Sequence, residues 1–212
     1  MTTQTCSTPD LVRTDRGPFG LPKGLSGRLA GRLMAANDSQ QRELAELIRL
    51  PGTGSLCEVG YGPGVLLRLL RARFPEAALC GVDPSSVMLR QASRATADTP
   101  MDLRCAAVAD LPFDDDMFDV TVSFNTVQFW PDLTAGMAEI RRVTRPGGTV
   151  LIGWHGGSAP TRIQRRLMLS DEELAGIASA ISDHVGEPHH DHLSQSELFT
   201  AVVRTEGTSS AG

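Results

Sequence analysis

The chain has 212 residues, of which 41% are hydrophobic and 21% are charged, and its net charge is −5. This length and composition predict one globular domain with a full core. The acidic balance, without a basic stripe, argues against a nucleic-acid partner. No run approaches the roughly 18 apolar residues of a transmembrane helix, so we expect no membrane partner.

The N-terminal part of the chain is predicted to hold an arm and two helices. Residues 1–20 are rich in Thr, Pro and Gly and show no hydrophobic periodicity, which indicates a mobile arm. They also lack the charged segment followed by an apolar segment that is typical of a signal peptide. Apolar residues recur at helical spacing in residues 21–50. This spacing predicts extra helices, of which the first is expected to form a lid over the cofactor cleft. The apolar face of that first helix comprises Leu25, Leu29, Leu33 and Met34.

The central segment, residues 55–154, alternates between strand and helix patterns. Strands are predicted near 55–60, 78–83, 102–106, 118–124 and 148–154, and helices near 64–73, 85–95 and 132–143. This alternation predicts an α/β fold with a doubly wound, mostly parallel sheet.

The following segment, residues 155–205, is predicted to lie on the substrate side of the site. We expect a helix from Ser170 to about residue 183 and a strand over 198–205. The polar stretch over 184–197 makes a further strand there doubtful. Residues 206–212 are predicted to be a disordered tail.

The sequence EVGYGPG, residues 58–64, links the first predicted strand to the first helix of the central segment. Gly60, Gly62 and Gly64 permit a sharp turn and close approach to a ligand at a helix N-terminus. A dinucleotide fingerprint needs Gly or Ala where this chain has Val65 or Leu67. Glu58 would also repel a pyrophosphate, so the turn favours a cofactor with an amine and a sulfonium over NAD. The alternative is a turn that needs glycine only for its shape.

Asp83 ends the second predicted strand, about 20 residues beyond the glycine turn. An acidic residue there is placed to bind a ribose diol. The alternative is a helix N-cap, with Pro84 at the first helical position. Both roles are compatible.

Five segments, in this order, resemble the class I S-adenosylmethionine-dependent methyltransferases. Within that class the resemblance is to the small-molecule branch that includes the ubiquinone/menaquinone-biosynthesis C-methyltransferases, and it covers about residues 25–155. It implies a Rossmann-like fold, S-adenosylmethionine as cofactor and S-adenosylhomocysteine as product. The segments are 58–64, Asp83, 109–113, 118–120 and 145–148.

The resemblance also implies a set of cofactor contacts. The turn would hold the methionine end of the cofactor, Asp83 the ribose, and the segment 109–111 the adenine, with Asp110 accepting from its amine. Met88 would lie on the adenine face, or else pack in the core. The whole set comprises Glu58, Gly60, Tyr61, Gly62, Gly64, Asp83, Pro84, Met88, Ala109, Asp110, Leu111 and Asn125.

Asn125 ends the fourth predicted strand, and parallel strands open their ligand crevice at that end. The sequence continues Thr-Val-Gln, which excludes the Asn-Pro-Pro-Tyr motif of methylases acting on adenine or glutamine. Candidate contacts to an apolar or planar small substrate are Met34, Gln128, Phe129, Trp130 and Trp154, with core packing as the alternative for the aromatic rings.

The catalytic group is not specified by the sequence. Methyl transfer is an in-line displacement that an enzyme promotes mainly by positioning. His155 is the candidate if a base is needed, and a surface histidine is the alternative. The His-His-Asp-His run from His189 to His192 matches no standard zinc spacing, so we predict a polar loop and no metal.

A methyltransferase is therefore the predicted function. A methyltransferase-like cyclase or isomerase that binds the cofactor without transferring methyl is the alternative, followed by a nicotinamide oxidoreductase and a non-catalytic binding protein. The four cysteines are not in C-x-x-C spacing, so we expect reduced thiols and a cytoplasmic protein. The oligomeric state and the methyl acceptor stay open.

Overall fold

The computed structural model describes residues 39–99, 101–159, 162, 165 and 168–205. The predictions for the arm, the lid helix with Met34, and the tail after residue 205 lie outside the described residues. Of the helices within these ranges, none is long and apolar enough to span a membrane.

The described residues form five α-helices and seven strands. The helices are α1 (Ser39–Leu47), α2 (Val65–Arg73), α3 (Ser86–Ala95), α4 (Leu133–Val143) and α5 (Asp171–His184), with one 3-10 turn at Val127–Phe129. The strands are β1 (Ser55–Val59), β2 (Ala78–Val82), β3 (Asp102–Arg104), β4 (Phe118–Phe124), β5 (Thr144–His155), β6 (His189–His192) and β7 (Ser196–Val202).

The seven strands form one sheet in the order β3-β2-β1-β4-β5-β7-β6. Strands β1 to β5 are parallel, and β7 runs antiparallel to both of its neighbours. The chain order reverses between β1 and β4, which is the switch point where ligands bind in open α/β sheets. The predicted α/β, mostly parallel, doubly wound sheet is confirmed.

Two helical layers cover the sheet. Helices α1, α2 and α3 pack on one face, where Leu44, Leu67 and Met88 join a buried cluster with residues of β1, β2, β4 and β5. Helices α4 and α5 cover the other face, with Met137 and Ile177 in a second cluster. The sheet is therefore buried on both sides, and its edges and strand ends are left for function.

Some element boundaries differ from the predictions. Strand β5 begins at Thr144, four residues before the predicted start, through an irregular pairing with β4. Helix α3 begins at Ser86, and its N-cap is Ser85, which accepts from the N–H of Met88. Asp83 is therefore not the cap, and Pro84 precedes the helix, because the chain needs two further residues to leave β2.

The doubt about a strand within 184–197 was wrong, since the polar run His189–His192 is strand β6. Within the described part of the chain this strand pairs only with β7, so it lies at the edge of the sheet, where polar side chains are tolerated and discourage further pairing. Cys57 and Cys80 are free and buried. Cys105 is disulfide-bonded, so the expectation of reduced thiols is wrong at that residue.

Candidate cofactor and acceptor site

The turn after β1 has the backbone conformation that only glycine adopts without strain. Gly60, Gly62 and Gly64 have φ angles of 83°, 53° and 79°. The N–H of Gly60 donates to the carbonyl of Val82 at 2.7 Å, which ties the turn to the end of β2. A Cβ on Gly60 would also collide with the side chain of Thr126, so the turn requires glycine for its shape and for its packing.

Asp83 holds the turn and the start of α3 together. Its carboxylate accepts from the N–H of Gly62 at 2.9 Å and from the N–H of Ser85 at 2.8 Å. Burial raises the pKa of Asp83 from 3.8 to about 6, although the two N–H groups act in the opposite direction. Each carboxylate oxygen keeps a further lone pair, so Asp83 can still accept hydrogen bonds from a ligand.

Glu58, near the end of β1, is buried on the face covered by α2. Burial raises its pKa well above the usual range, the nearby Asp83 raises it further, and the N–H of Leu67 lowers it. Oε2 of Glu58 is buried without a hydrogen-bond partner among the described residues. Two buried carboxyl groups at this end of the sheet disfavour an anionic ligand and favour one that brings N–H, O–H or positive charge.

The segment after β4 contributes two further acceptors. Asn125 has a left-handed backbone with φ 58°, and its N–H donates to the carbonyl of Gly153 at 2.8 Å. Gln128 turns back, and its Nε2 donates to the carbonyl of Asn125 at 3.0 Å. Oδ1 of Asn125 and Oε1 of Gln128 are both buried and lack partners within the described part of the chain.

Thr126 is a positioning residue that the sequence analysis missed. Its hydroxyl lies 2.5 Å from Oγ of Ser123, accepts from Nε1 of Trp130 at 3.3 Å, and lies 3.4 Å from the carbonyl of Val59. Thr126 therefore locks the segment after β4 against the end of β1. A threonine outside any motif carries no sequence signal for such a role, since the contact depends on the β1–β4 pairing.

His155 ends β5 and is half-buried. Burial lowers its pKa from 6.5 to about 4, which leaves the ring neutral at physiological pH. Its Nδ1 is buried and has no partner among the described residues. The register pairs His155 with Ser196, whose Oγ lies 3.0 Å from Nε2 of the buried Gln40.

Buried polar atoms without a partner are therefore concentrated in one place. Folded proteins rarely leave such atoms unpaired, so a cluster of them indicates a ligand site. Four of the five within the described residues lie at or just beyond the carboxyl ends of β1, β4 and β5. The five residues are Gln41, Glu58, Asn125, Gln128 and His155.

The segment predicted to border the adenine is held by helix α4. Glu139 accepts from the N–H of Leu111 at 2.7 Å, and Arg142 donates to the carbonyl of Leu111 at 2.9 Å. The hydrogen bond from Arg142 lowers the pKa of Glu139. Leu111 is buried, whereas Ala109 and Asp110 are exposed. The Glu139–Arg142 pair was also missed, because its spacing on a helix resembles an ordinary surface ion pair.

Several predicted contact residues lie in the core. The ring of Tyr61 packs over Gly81, and its hydroxyl donates to the carbonyl of Arg104 at 3.3 Å, so only its backbone belongs to the turn. Met88 is buried in the cluster under α3, which agrees with the alternative that it packs in the core. Trp130 and Trp154 belong to the opposite cluster rather than to an exposed pocket mouth. Phe129 is half-buried beside Gln128.

Comparison with known proteins shows what this segment of the chain resembles. Residues 57–152 match the family model described as a methyltransferase domain. Over this segment the chain is similar to methyltransferases. The match begins within β1 and ends within β5, so it includes the glycine turn, Asp83 and Asn125.

Individual relatives show the same likeness. The chain is 28% identical over 155 residues to an uncharacterized methyltransferase, YdaC, of Bacillus subtilis, covering 70% of this chain and 86% of the relative. It is 30% identical to the ubiquinone/menaquinone biosynthesis C-methyltransferase UbiE of Desulfotalea psychrophila, covering 46% of this chain and 40% of the relative. Apart from YdaC, the chain spans between 35% and 55% of the length of the first curated relatives it matches.

A solved structure shares the fold. The chain superposes on a putative S-adenosylmethionine-dependent methyltransferase of Methanococcus maripaludis with a TM-score of 0.69 and 18% sequence identity, covering 85% of this chain and 95% of the other. The described sheet and helices therefore have the fold of this methyltransferase structure.

The residues present fit the cofactor of the family. The unpartnered Oε2 of Glu58 and the carboxylate of Asp83 can accept from an amine and from ribose hydroxyls, while the turn at Gly62 leaves no side chain at the point of closest approach. The acceptor-rich, acidic end of the sheet suits a cationic sulfonium better than a pyrophosphate.

Proposed function

We propose that this chain is a methyltransferase, which binds S-adenosylmethionine at the carboxyl ends of β1 and β2 and methylates a small molecule held at the carboxyl ends of β4 and β5. The observation that carries the proposal is the concentration, at these strand ends, of buried polar atoms that find no partner among the described residues. The topological switch between β1 and β4 is the expected ligand crevice of such a sheet.

In this proposal each half of the crevice has its own residues. The turn with Glu58 would hold the methionine end of the cofactor, Asp83 the ribose, and the segment 109–111 the adenine, with Asp110 toward its amine. Asn125 would offer Oδ1 where the two ligands meet. The bound cofactor supplies an activated methyl group on a sulfonium.

The protein's own contribution is to position the two reacting groups and to exclude water from them. Thr126 fixes the segment after β4 against β1, so that Asn125 and Gln128 keep their place relative to the turn. Fixed geometry between two reacting groups is worth up to about 7–11 kcal/mol in favourable cases. A methyl transfer therefore does not depend on a strong acid or base in the crevice.

The acceptor would contact Gln128, Phe129 and His155. A half-buried aromatic ring beside an unpartnered amide oxygen suits a small molecule with an apolar part and a hydrogen-bond donor. His155 is neutral at physiological pH, so its ring can orient a hydroxyl of the acceptor through a hydrogen bond.

The test is turnover with S-adenosylmethionine that carries a deuterated methyl group. The purified full chain is incubated with a panel of small hydroxy, amino, carboxylic and quinol compounds, and products are read by mass. We expect one acceptor class to gain the labelled methyl, together with an equal amount of S-adenosylhomocysteine.

The same experiment separates the alternative. An acceptor that rearranges without label, and without S-adenosylhomocysteine, would identify a cyclase or isomerase. Asp83→Asn serves as the variant that should lose turnover. Asp98→Asn is its matched control, because Asp98 is an exposed carboxylate beyond α3.

A further inference from the structure

The edge strand β6 carries three of the chain's five histidines. Side chains alternate along a strand, so His190 and His192 share one face and His189 lies on the other. The register places Glu197 of β7 directly opposite His192. Strand geometry therefore collects two imidazoles and one carboxylate on one face of this edge.

The three side chains point their polar atoms at one another. Nε2 of His190 lies 3.1 Å from Oε2 of Glu197, and Nδ1 of His192 lies 3.8 Å from Oε1 of the same carboxylate. One such atom from each residue lies within 4.8 Å of the other two. Ligand atoms around a tetrahedral Zn²⁺ are roughly 3.3 Å apart, given bonds of about 2.0–2.1 Å.

We propose that His190, His192 and Glu197 bind a divalent transition metal of the zinc class. Imidazole and carboxylate are ligands that Zn²⁺ accepts. The side chain of His192 is 63% exposed, so its ring can rotate to close the longer separations. Three protein ligands leave a fourth tetrahedral position open to water or to another ligand.

Neighbouring groups hold two of the three ligands in place. The N–H of Gly157 donates to Oε1 of Glu197 at 3.3 Å, and a Cβ on Gly156 would lie 2.8 Å from that oxygen, so glycine leaves room for the carboxylate. The ring of His190 packs against Trp154 and Phe199, with centroids 5.6 Å and 4.7 Å away. Such supporting contacts fix the orientation of metal ligands.

A simple hydrogen bond between His190 and Glu197 explains only one of the two rings. The ring of His192 lies 4.3 Å from that of His190 and also faces Glu197, although its exposed position would let it turn to water. A shared metal ion accounts for both rings. Along β5 and β7, Trp154 and Glu197 lie on the face opposite His155 and Ser196, so this site is separate from the methyl-transfer crevice.

The test is calorimetric titration of the tag-free full chain with ZnCl2, after treatment with a chelator and desalting. We expect one equivalent of Zn²⁺ to bind. His192→Ala should weaken the affinity by more than about 100-fold, because even loss of a supporting partner costs roughly 10–100-fold. His189→Ala is the matched control on the other face of the same strand, and it should bind as the unmodified chain does.

A second variant and a second measurement guard against misfolding. Glu197→Gln keeps the shape of the side chain and should also lose binding. Zn²⁺ should raise the melting temperature of the unmodified chain and of His189→Ala, but not that of His192→Ala. Failure of the unmodified chain to bind one equivalent, or equal affinities for His189→Ala and His192→Ala, would overturn the proposal.

Discussion

The site at the carboxyl ends of β1 and β2 is built from residues that are close to one another in the sequence. The region around the end of β5 and the start of β7 is built from residues that are far apart in the sequence. The contact between Gly62 and Asp83 spans 21 positions in the chain, whereas Gln40 reaches Ser196 across 156 positions. The cofactor half of the crevice therefore forms within one βαβ unit. The acceptor half exists only once the first helix and the last strands have come together.

A substitution in the glycine turn of the cofactor half should have the largest effect on ligand binding. Gly62→Val places a branched side chain at φ 53°, which strains the turn by about 1–3 kcal/mol and blocks close approach of the cofactor. We expect the affinity for S-adenosylmethionine to fall about 100-fold or more, measured by calorimetry.

The control for this change is Gly176→Val, since nothing lies within 4 Å of a Cβ added at that exposed helix position. It should bind the cofactor normally. Normal affinity in a folded Gly62→Val variant would contradict the role of the turn.

A substitution in the acceptor half should lower turnover but leave cofactor binding unchanged. His155→Ala removes the neutral, half-buried ring at the end of β5, and we expect kcat to fall about 100-fold with an unchanged affinity for S-adenosylmethionine. His189→Ala, at an exposed position of β6, should keep full turnover.

The pH profile sharpens this prediction. Because the pKa of His155 lies at about 4, turnover should show no inflection from this residue between pH 6 and 8. A His155→Ala variant with normal kcat would remove His155 from the acceptor site.

Cofactor affinity should rise as the pH increases from 5 to 7. The pKa of Asp83 is about 6, so the carboxylate that would accept from the ribose is mostly protonated at pH 5 and mostly ionised at pH 7. The expected gain is about tenfold, which calorimetry at the two pH values would measure.

Asp83→Asn should lower the affinity at pH 7 and flatten this dependence, leaving only the contribution of the neighbouring Glu58. Asp98→Asn should keep the full dependence. An unchanged slope in Asp83→Asn would show that another group controls the effect.

The smallest effect concerns stability. Gln40→Ala removes the buried amide that contacts Ser196 and the carbonyl of Gln195, so it should cost about 1–3 kcal/mol of unfolding free energy. That corresponds to a loss of a few degrees in melting temperature. Glu46→Ala, at an exposed position of α1, should cost much less, and equal losses would argue against Gln40 as the link between the two regions.

The same contrast explains what could be predicted from the sequence. The glycine turn, Asp83 and Asn125 were placed correctly relative to the strands, because each lies at a strand end that short-range patterns mark. Thr126 and the pairing of His155 with Ser196 could not be foreseen, since both depend on which strands become neighbours. The sequence left the burial of Trp130 and Trp154 as an alternative, because an aromatic residue after a strand suits a core as well as a pocket.

Strand β6 shows the limit most clearly. Its four residues, His189 to His192, have no strand pattern, and only pairing with β7 makes them a strand. The grouping of His190 and His192 with Glu197 follows from that pairing, so sequence spacing alone suggested a polar loop without a metal.

The most direct measurement of the central claim is calorimetric titration of the full chain with S-adenosylhomocysteine and, separately, with NAD at the same concentrations. The acidic, glycine-lined end of β1 and β2 predicts one equivalent of S-adenosylhomocysteine bound and no detectable binding of NAD. Binding of NAD without binding of S-adenosylhomocysteine would contradict the assignment of this crevice.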